Sequence, residues 1–184
     1  RTIIKGRVLP EQQFLYTKVL QGLICLSKLI WPAGLTGKEL DPLARYFLWE
    51  HGLDYDHGTG HGVGVFSNVH QGPQGISRLN TVPLNPGMIL SVEPGVYLEG
   101  NLGIRLENLV YVKMKSGYSG QKKEFLEFET LTLVPFEKKL LEKKLLSRDE
   151  IDWLNSYHHN VYKKLSPFLN VSEKTWLKDA CKIL

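Results

Sequence analysis

The chain has 184 residues, of which 42% are hydrophobic, and these values are typical of one domain of ordinary size with a packed core. Its net charge of +4 comes from interspersed acidic and basic residues, so we expect no nucleic-acid partner. Two cysteines exclude a disulfide scaffold, and no run of about 18 apolar residues is present, so we expect a soluble, cytoplasmic protein without a membrane partner.

Two helices are expected in the first third of the chain. After Pro10, apolar residues recur at helical spacing as far as Ile30, which predicts a helix packed on a sheet. Thr36 and Glu39 form a capping box, which predicts a second helix that ends near Glu50.

The middle of the chain, from residue 53 to about 136, has the texture of a β-sheet, because MILSVE, IRLENLVYV and LEFETLTLV are separated by Pro, Gly and Asn. The tract EKKLLEKKLL at 137–146 is typical of a solvated, helix-prone connector, and a basic surface for contact with a partner is the alternative. A capping box that begins at Ser147 predicts a helix with His158 on its apolar face, and a short helix from about Ser172 follows. This order of elements predicts an α+β fold.

The segment HGTGHGVG, residues 57–64, has glycine at every second position and contains two histidines. This pattern indicates close approach of the backbone to a ligand or to another strand. It does not match a dinucleotide fingerprint, because Val63 stands where the third glycine is needed. In an extended strand, His57 and His61 share a face about 13 Å apart, so one ion cannot bind both. Hydrogen-bonded structural histidines are the alternative.

An acidic pair is the stronger signal. Glu93 and Glu107 each lie seven residues from Gly100, in a sequence typical of a β-hairpin, so their carboxylates are expected to stand opposite each other. Carboxylates about 5 Å apart repel unless a cation or a shared proton compensates them. We therefore expect a metal ion here, and Arg105 either orients a carboxylate or is a surface arginine. The alternative is that Pro94 breaks the register and both glutamates face water.

One imidazole and two carboxylates suit Zn²⁺, Mn²⁺ or Co²⁺, and a carboxylate-rich set favours two ions bridged by oxygen. Such a pair of ions typically activates a water and polarises a carbonyl, which is the chemistry of peptide hydrolysis. Three ligands are too few to hold two ions.

Several segments, taken in order, resemble one family. HGTGHGVG, NVHQGP, LSVEPGVY, GIRLENLVYV, LEFETLTLVPF and IDWLNSYHHNVY are similar in order and spacing to the catalytic domain of the Xaa-Pro aminopeptidases (aminopeptidase P), which are pita-bread metallopeptidases. The resemblance covers essentially the whole chain. It implies the C-terminal portion of a pita-bread fold, with helices packed on a curved, mostly antiparallel sheet. Residues 1–136 then form a partial catalytic domain without its N-terminal portion, and residues 137–184 form a helical extension of it.

The resemblance implies that His61, Glu93 and Glu107 are ligands of two divalent metal ions, with Mn²⁺ first and Zn²⁺ or Co²⁺ as alternatives. Glu93 also exchanges a proton with the attacking water. The implied reaction releases the N-terminal residue from peptides with proline in the second position.

The same resemblance implies that His57 and His70 are catalytic residues of the pocket, which hold the substrate and stabilise the tetrahedral intermediate or transfer protons. Arg105 and Tyr97 match positions that support the metal ligands and contact the substrate. A homodimer through the terminal helices is compatible with this type of family member.

The front of the chain departs from the family pattern. Two aspartates complete the dinuclear site in the family, the second within a run G-T-T-D-x-T-R-T, and this chain opens on Arg1 and Thr2, which match the last two residues of that run. We therefore expect the isolated chain to bind metal weakly and to be inactive. Asp54 and Asp56 do not replace the missing ligands, because strand alternation turns them away from the histidine face.

Three functions are compatible with this sequence. The first is part of an Xaa-Pro aminopeptidase that is active in the full-length protein. The second is a non-catalytic pita-bread module that binds peptides, and the third is prolidase, which acts only on dipeptides. Assays of the full-length protein on Xaa-Pro dipeptides and on longer peptides separate them.

Overall fold

The chain begins with two helices that pack against each other in a computed structural model, which describes residues 1–117 and 122–184. These helices are α1 (Pro10–Lys28) and α2 (Gly37–Trp49). A Cβ atom on Gly22 of α1 would lie 2.4 Å from the carbonyl oxygen of Ala44 in α2, so glycine allows the two backbones to approach closely. Both predicted helices are confirmed.

The capping box of α2 is also confirmed. The Thr36 side chain accepts a hydrogen bond from the backbone of Lys38, and the Glu39 carboxylate accepts one from the Thr36 backbone nitrogen at 2.8 Å. The predicted extension of the first helical pattern to Ile30 is wrong. Ile30 lies in a strand and is 37% exposed, because residues 30–32 leave the helix and pair with a later strand of the sheet.

Eight short strands are found among the described residues. They are β1 (Ile30–Pro32), β2 (Gly60–His61), β3 (Gly75–Ile76), β4 (Ile89–Val92), β5 (Gly95–Leu98), β6 (Leu102–Arg105), β7 (Asn108–Met114) and β8 (Phe125–Thr130). Four of them form the main sheet in the order β1-β8-β7-β4, and each pair is antiparallel. The other four form two small antiparallel pairs, β2 with β3 and β5 with β6. Helices against an antiparallel sheet confirm the α+β class.

The predicted hairpin register is confirmed. Strands β5 and β6 pair around Gly100, which has a φ of +68°, and the paired residue numbers always add to 200. Strands β4 and β7 continue the same register. The predicted strand 104–112 is nevertheless split between β6 and β7, because Pro94 opposite has no backbone N–H, although its carbonyl oxygen accepts a hydrogen bond from Leu106 at 3.2 Å. The run 126–134 likewise forms a strand only as far as Thr130.

The connector 137–146 differs from its prediction as a solvated, helix-prone segment. It contains two 3₁₀ turns, Lys138–Leu140 and Lys143–Leu145, and Leu140, Leu141 and Leu146 are buried. The five-residue repeat rotates successive leucine pairs by about 140° around an α-helix, so a regular helix could not bury both pairs on one side. Two separate 3₁₀ turns do not impose this rotation, so they can turn leucines of both pairs toward the core.

Two helices complete the chain, α3 (Arg148–Leu165) and α4 (Val171–Ala180). The capping box at Ser147 is confirmed, and α4 begins one residue before the predicted start. The Arg1 side chain ties this part to the sheet, because its guanidinium lies 4.0 Å from the Phe136 ring and donates to Asn108 at 2.6 Å and to Tyr157 at 2.8 Å. None of the helices in residues 1–117 and 122–184 is long and apolar enough to span a membrane.

Candidate metal centre

The glycines of residues 57–64 bring this segment into direct contact with other backbone. A Cβ atom on Gly60 would lie 1.9 Å from the carbonyl oxygen of Ser91 in β4, and one on Gly62 would lie 2.0 Å from that of Gln71. The predicted close approach is therefore an approach to neighbouring chain segments, which only glycine permits. The histidines at the intervening positions are left to face a cleft.

His61 and Glu93 form the centre of this cleft. A carbonyl oxygen can only accept, so the 2.9 Å contact between His61 Nδ1 and the Gly62 carbonyl places the proton of the neutral ring on Nδ1. His61 Nε2 then presents a lone pair to Glu93 Oε1 at 3.2 Å. Two acceptors face each other here, and a cation or an added proton satisfies both. The donor set therefore fits a divalent metal ion.

Glu93 is only 7% exposed and is held from three sides. Ser91 Oγ donates to Oε1 at 3.1 Å, Arg105 Nη1 donates to Oε2 at 3.4 Å, and the Glu93 backbone nitrogen donates to the Thr59 carbonyl at 2.7 Å. These bonds fix the direction of both carboxylate oxygens, as the supporting shell of a metal ligand does. The predicted orienting role of Arg105 fits this contact.

Tyr97 connects His57 to Arg105. Its hydroxyl oxygen accepts from Arg105 Nε at 2.7 Å and lies 2.9 Å from His57 Nε2. Since His57 Nδ1 donates to the Gly58 carbonyl at 2.8 Å, Nε2 accepts the Tyr97 proton. Burial disfavours the charge on Arg105, but the hydrogen bond to Tyr97 and the nearby carboxylates raise the pKa of its guanidinium.

The structure brings five of the predicted site residues into one cleft. Its volume is about 250 Å³, and besides two glycines it is lined by His57, His61, His70, Glu93 and Arg105. The His70 ring lies 4.2 Å from the His61 ring, centre to centre. Tyr97 reaches the same group through its hydroxyl.

Glu107 is not joined to this group. Its side chain is half-buried, and the register places it opposite Glu93 at the gap between two ladders. Within residues 1–117 and 122–184, no three His, Cys, Asp or Glu side chains are close enough to hold one metal ion. The assignment of Glu107 as a ligand therefore stays a prediction.

The Asp54 carboxylate is hydrogen-bonded outside the cleft, although residues 54–57 do not form the strand on which its predicted exclusion was based. Although burial opposes its charge, hydrogen bonds from Arg45, the Tyr55 backbone and Arg78 lower the pKa of its carboxyl group to about 2.

The contact of Ser91 with Glu93 was not predicted from the sequence. Ser91 lies on β4, two residues before Glu93, which directly follows this strand, and a period of two could have placed both side chains on one face.

Comparisons with known proteins define the class first, which is that of the metallopeptidases. A model of metallopeptidase family M24 matches residues 1–114, and a model of the C-terminal region of that peptidase matches residues 124–184. The chain belongs to metallopeptidase family M24.

Individual relatives agree with this family. The chain is 47% identical over 97% of its length to a probable Xaa-Pro aminopeptidase P from Botryotinia fuckeliana, of which it covers 28%. It matches X-prolyl aminopeptidase from Caenorhabditis elegans, described as a cytosolic enzyme with a di-nuclear active site, with a TM-score of 0.92 and 40% identity, covering 97% of this chain and 30% of that one. Xaa-Pro dipeptidase from Bacillus anthracis matches with a TM-score of 0.61 and 32% identity, covering 74% of this chain and 35% of that one.

These matches confirm the predicted pita-bread fold and the resemblance from which it was inferred. The chain spans about a third or less of the length of each of these three relatives.

Proposed function

We propose that the full-length protein is a metal-dependent Xaa-Pro aminopeptidase, which removes the N-terminal residue from peptides with proline in the second position. The observation that carries this proposal is the lone pair of His61 Nε2 facing Glu93 Oε1 at 3.2 Å in a cleft with two further histidines. Relatives named Xaa-Pro aminopeptidase P over 97% of the chain support the choice of reaction.

The proposed cofactor is a pair of divalent ions, with Mn²⁺ before Zn²⁺ or Co²⁺, and His61, Glu93 and Glu107 are the ligands from this chain. When bound, the ions activate a water and polarise the scissile carbonyl. A neutral imidazole with carboxylates is a donor set that suits all three metals. The di-nuclear site of the Caenorhabditis elegans relative supports the number of ions.

The side chains of this chain supply the remaining functions. Glu93 accepts a proton from the attacking water, and Ser91 and Arg105 keep its two oxygens in place while it does so. His57 and His70 lie in the same cleft, where we assign them to holding the substrate carbonyl and to transferring a proton to the leaving nitrogen.

The isolated chain is proposed to be inactive, because His61, Glu93 and Glu107 are its only proposed ligands and three ligands are too few to hold two ions. Arg1 and Thr2 lie at the junction of β6 and β7, where Thr2 Oγ1 accepts from the Arg105 backbone at 3.2 Å. Arg1 also donates to the carbonyl oxygen of Glu107, so this end of the chain lies beside a proposed ligand.

A cytoplasmic location, the division at residues 136 and 137 and a homodimer through the terminal helices belong to the same proposal. The cytosolic relative supports the location. Trp176 of α4, which is 65% exposed, offers an apolar surface for the dimer.

The experiment that tests the proposal uses the full-length protein with Mn²⁺ and two sets of substrates, Xaa-Pro dipeptides and longer peptides that begin with Xaa-Pro. Cleavage of the longer peptides after the first residue is expected. Cleavage of dipeptides alone would assign prolidase activity instead, and peptide binding without cleavage would assign a binding module. Glu93→Gln should lower turnover by about 10²- to 10⁴-fold, whereas Glu99→Gln, on the exposed turn between β5 and β6, should retain it.

A further inference from the structure

A buried ion pair lies beneath the segment that carries His57. Asp41 and Arg45 are one turn apart on α2, and Arg45 Nε donates to Asp41 Oδ2 at 2.7 Å. Asp41 is 0% exposed and Arg45 is 2% exposed. Neither residue lines the cleft that holds His61 and Glu93.

The Arg45 guanidinium holds the chain on the near side of His57. It donates to the carbonyl oxygens of Tyr55 at 2.6 Å and of His57 at 2.7 Å, and to the Asp54 carboxylate at 2.7 Å. It also lies 3.9 Å from the centre of the Tyr55 ring, and that ring lies 4.8 Å from the His57 ring. One guanidinium thus fixes the backbone before and at His57.

Asp41 holds the chain on the far side. Its second oxygen accepts from Thr59 Oγ1 at 2.6 Å, and the same hydroxyl lies 2.6 Å from Tyr55 Oη. The carbonyl of Thr59 in turn accepts from the Glu93 backbone nitrogen at 2.7 Å. The ion pair is therefore connected to both sides of His57 and to the backbone of the proposed proton acceptor.

Stability is a weak reason for such an arrangement, because the desolvation of a buried ion pair offsets much of its attraction, and apolar replacements are often as stable. The ion pair instead fixes the positions of the groups that it contacts. Arg45 contacts four separate acceptors with donors in a rigid plane, which a lysine cannot do. Burial opposes its charge, but the hydrogen bonds to Asp41 and Asp54 raise the pKa of the guanidinium, so the fork stays charged.

We propose that Asp41 and Arg45 are positioning residues that hold residues 55–59 so that the imidazole of His57 meets the Tyr97 hydroxyl at the wall of the cleft. This inference rests on the proposed function, because it gives His57 its role in catalysis.

Arg45→Lys in the full-length, metal-loaded protein tests the inference. Hydrogen exchange measured by mass spectrometry should become about tenfold faster in a peptide that covers residues 54–60 and remain unchanged in α3. With an Xaa-Pro peptide, kcat should fall about 10- to 100-fold, while KM and bound metal stay constant. The matched control is Arg148→Lys, which changes an exposed pair with Asp152 of the same spacing and should alter neither result.

A second variant, His57→Asn, shows whether Arg45 acts through His57. In that background, Arg45→Lys should lower kcat less than about twofold, because coupled residues are not additive. An equal loss in both backgrounds, or unchanged exchange at residues 54–60, would overturn the inference. Asp41→Asn keeps the shape of the side chain and gives the same comparison if the lysine variant does not fold. Should the wild type fail to cleave the peptide, the proposed function fails, whereas the exchange experiment still decides whether the ion pair orders this segment.

Discussion

Two histidines, His61 in the cleft and His158 on α3, differ in their hydrogen-bond partners. These partners determine whether a histidine is available to a ligand or only packs in the core. His61 donates to a carbonyl and turns its free nitrogen to the Glu93 carboxylate, within a cleft. His158 is 0% exposed, and its Nε2 accepts from the Phe136 backbone nitrogen at 3.1 Å. Burial lowers the pKa of His158 to about 4.

The difference separates a region whose geometry suits a ligand from a region in which the same side chain only fills the core. Around His158 the ring fills space as a neutral group, and charging it opposes folding. Around His61 two acceptors face each other, an arrangement that folding alone does not favour but that a cation stabilises. The same side chain is thus a core residue in one region and a candidate ligand in the other.

The largest expected effect comes from removing the acid beside His61. Glu93→Gln in the full-length protein should lower kcat by about 10²- to 10⁴-fold, because a proton acceptor is lost, and should weaken metal binding. Unfolding of the metal-free protein should occur at an equal or higher temperature, since a buried carboxylate is gone. Peptide assays, metal titration and calorimetry measure the three quantities. An equal loss of activity in Glu99→Gln and Glu93→Gln would contradict a specific role of the cleft in catalysis.

The next effect concerns His158 and pH. Its pKa is about 4 in the folded chain, against an ordinary value of 6.5 for a solvated histidine, so the unfolded chain binds the proton first as the pH falls. The free energy of unfolding should therefore decrease between pH 6.5 and pH 4, by about 3 kcal/mol at the lower end. Above pH 6.5 this group has no effect.

His158→Gln should remove most of that pH dependence in chemical denaturation experiments, since glutamine does not titrate and can still accept from Phe136. His159→Gln is the matched control, because His159 is exposed on the same helix and its loss should leave the pH profile intact. Equal profiles for wild type and His158→Gln would show that the buried ring is not the source. Peptidase activity at neutral pH should be retained in both variants.

A smaller effect is expected for Tyr97→Phe, which removes the hydroxyl between His57 and Arg105. The proposed metal ligands are unchanged in this variant of the full-length protein, so kcat should fall only about 10- to 100-fold, with bound metal unchanged. Tyr111→Phe is the control, because its hydroxyl donates to Glu129 on the main sheet, outside the cleft. Metal loss in the Tyr97 variant would contradict a role limited to orientation.

Local rules explain what could be predicted from the sequence. Helix caps at Thr36 and Ser147 depend on residues three apart, and the hairpin register depends on the turn around Gly100. Because that register extends beyond the hairpin, it placed Glu93 opposite Glu107 without any knowledge of the tertiary fold. The alternation of glycine in residues 57–64 predicted the close backbone approach, but the extended strand assumed for His57 and His61 is wrong, because only Gly60–His61 forms a strand.

Contacts between distant segments explain what could not be predicted. Strand β1 forms because residues 30–32 find β8, almost one hundred residues later. The connector 137–146 bends into two turns because Thr17 and Tyr16 of α1 accept its backbone N–H groups. The ion pair of Asp41 and Arg45 has an ordinary helical spacing, and only the position of α2 under residues 55–59 gives it a role.

The smallest expected effect belongs to the helical region, at the cap of the helix that carries His158. Ser147 Oγ accepts from the Glu150 backbone at 3.2 Å, so Ser147→Ala should lower the free energy of unfolding by about 1 kcal/mol. Ser156→Ala, at an exposed position inside α3, makes the same chemical change and should stabilise slightly, because alanine is the better helix former. Denaturation of both variants measures the difference, and kcat should not change in either. A loss of activity in Ser147→Ala without a loss of stability would contradict the separation of the helical region from the cleft. Ser147 does not line the cleft, so its cap could affect catalysis only through the packing of α3.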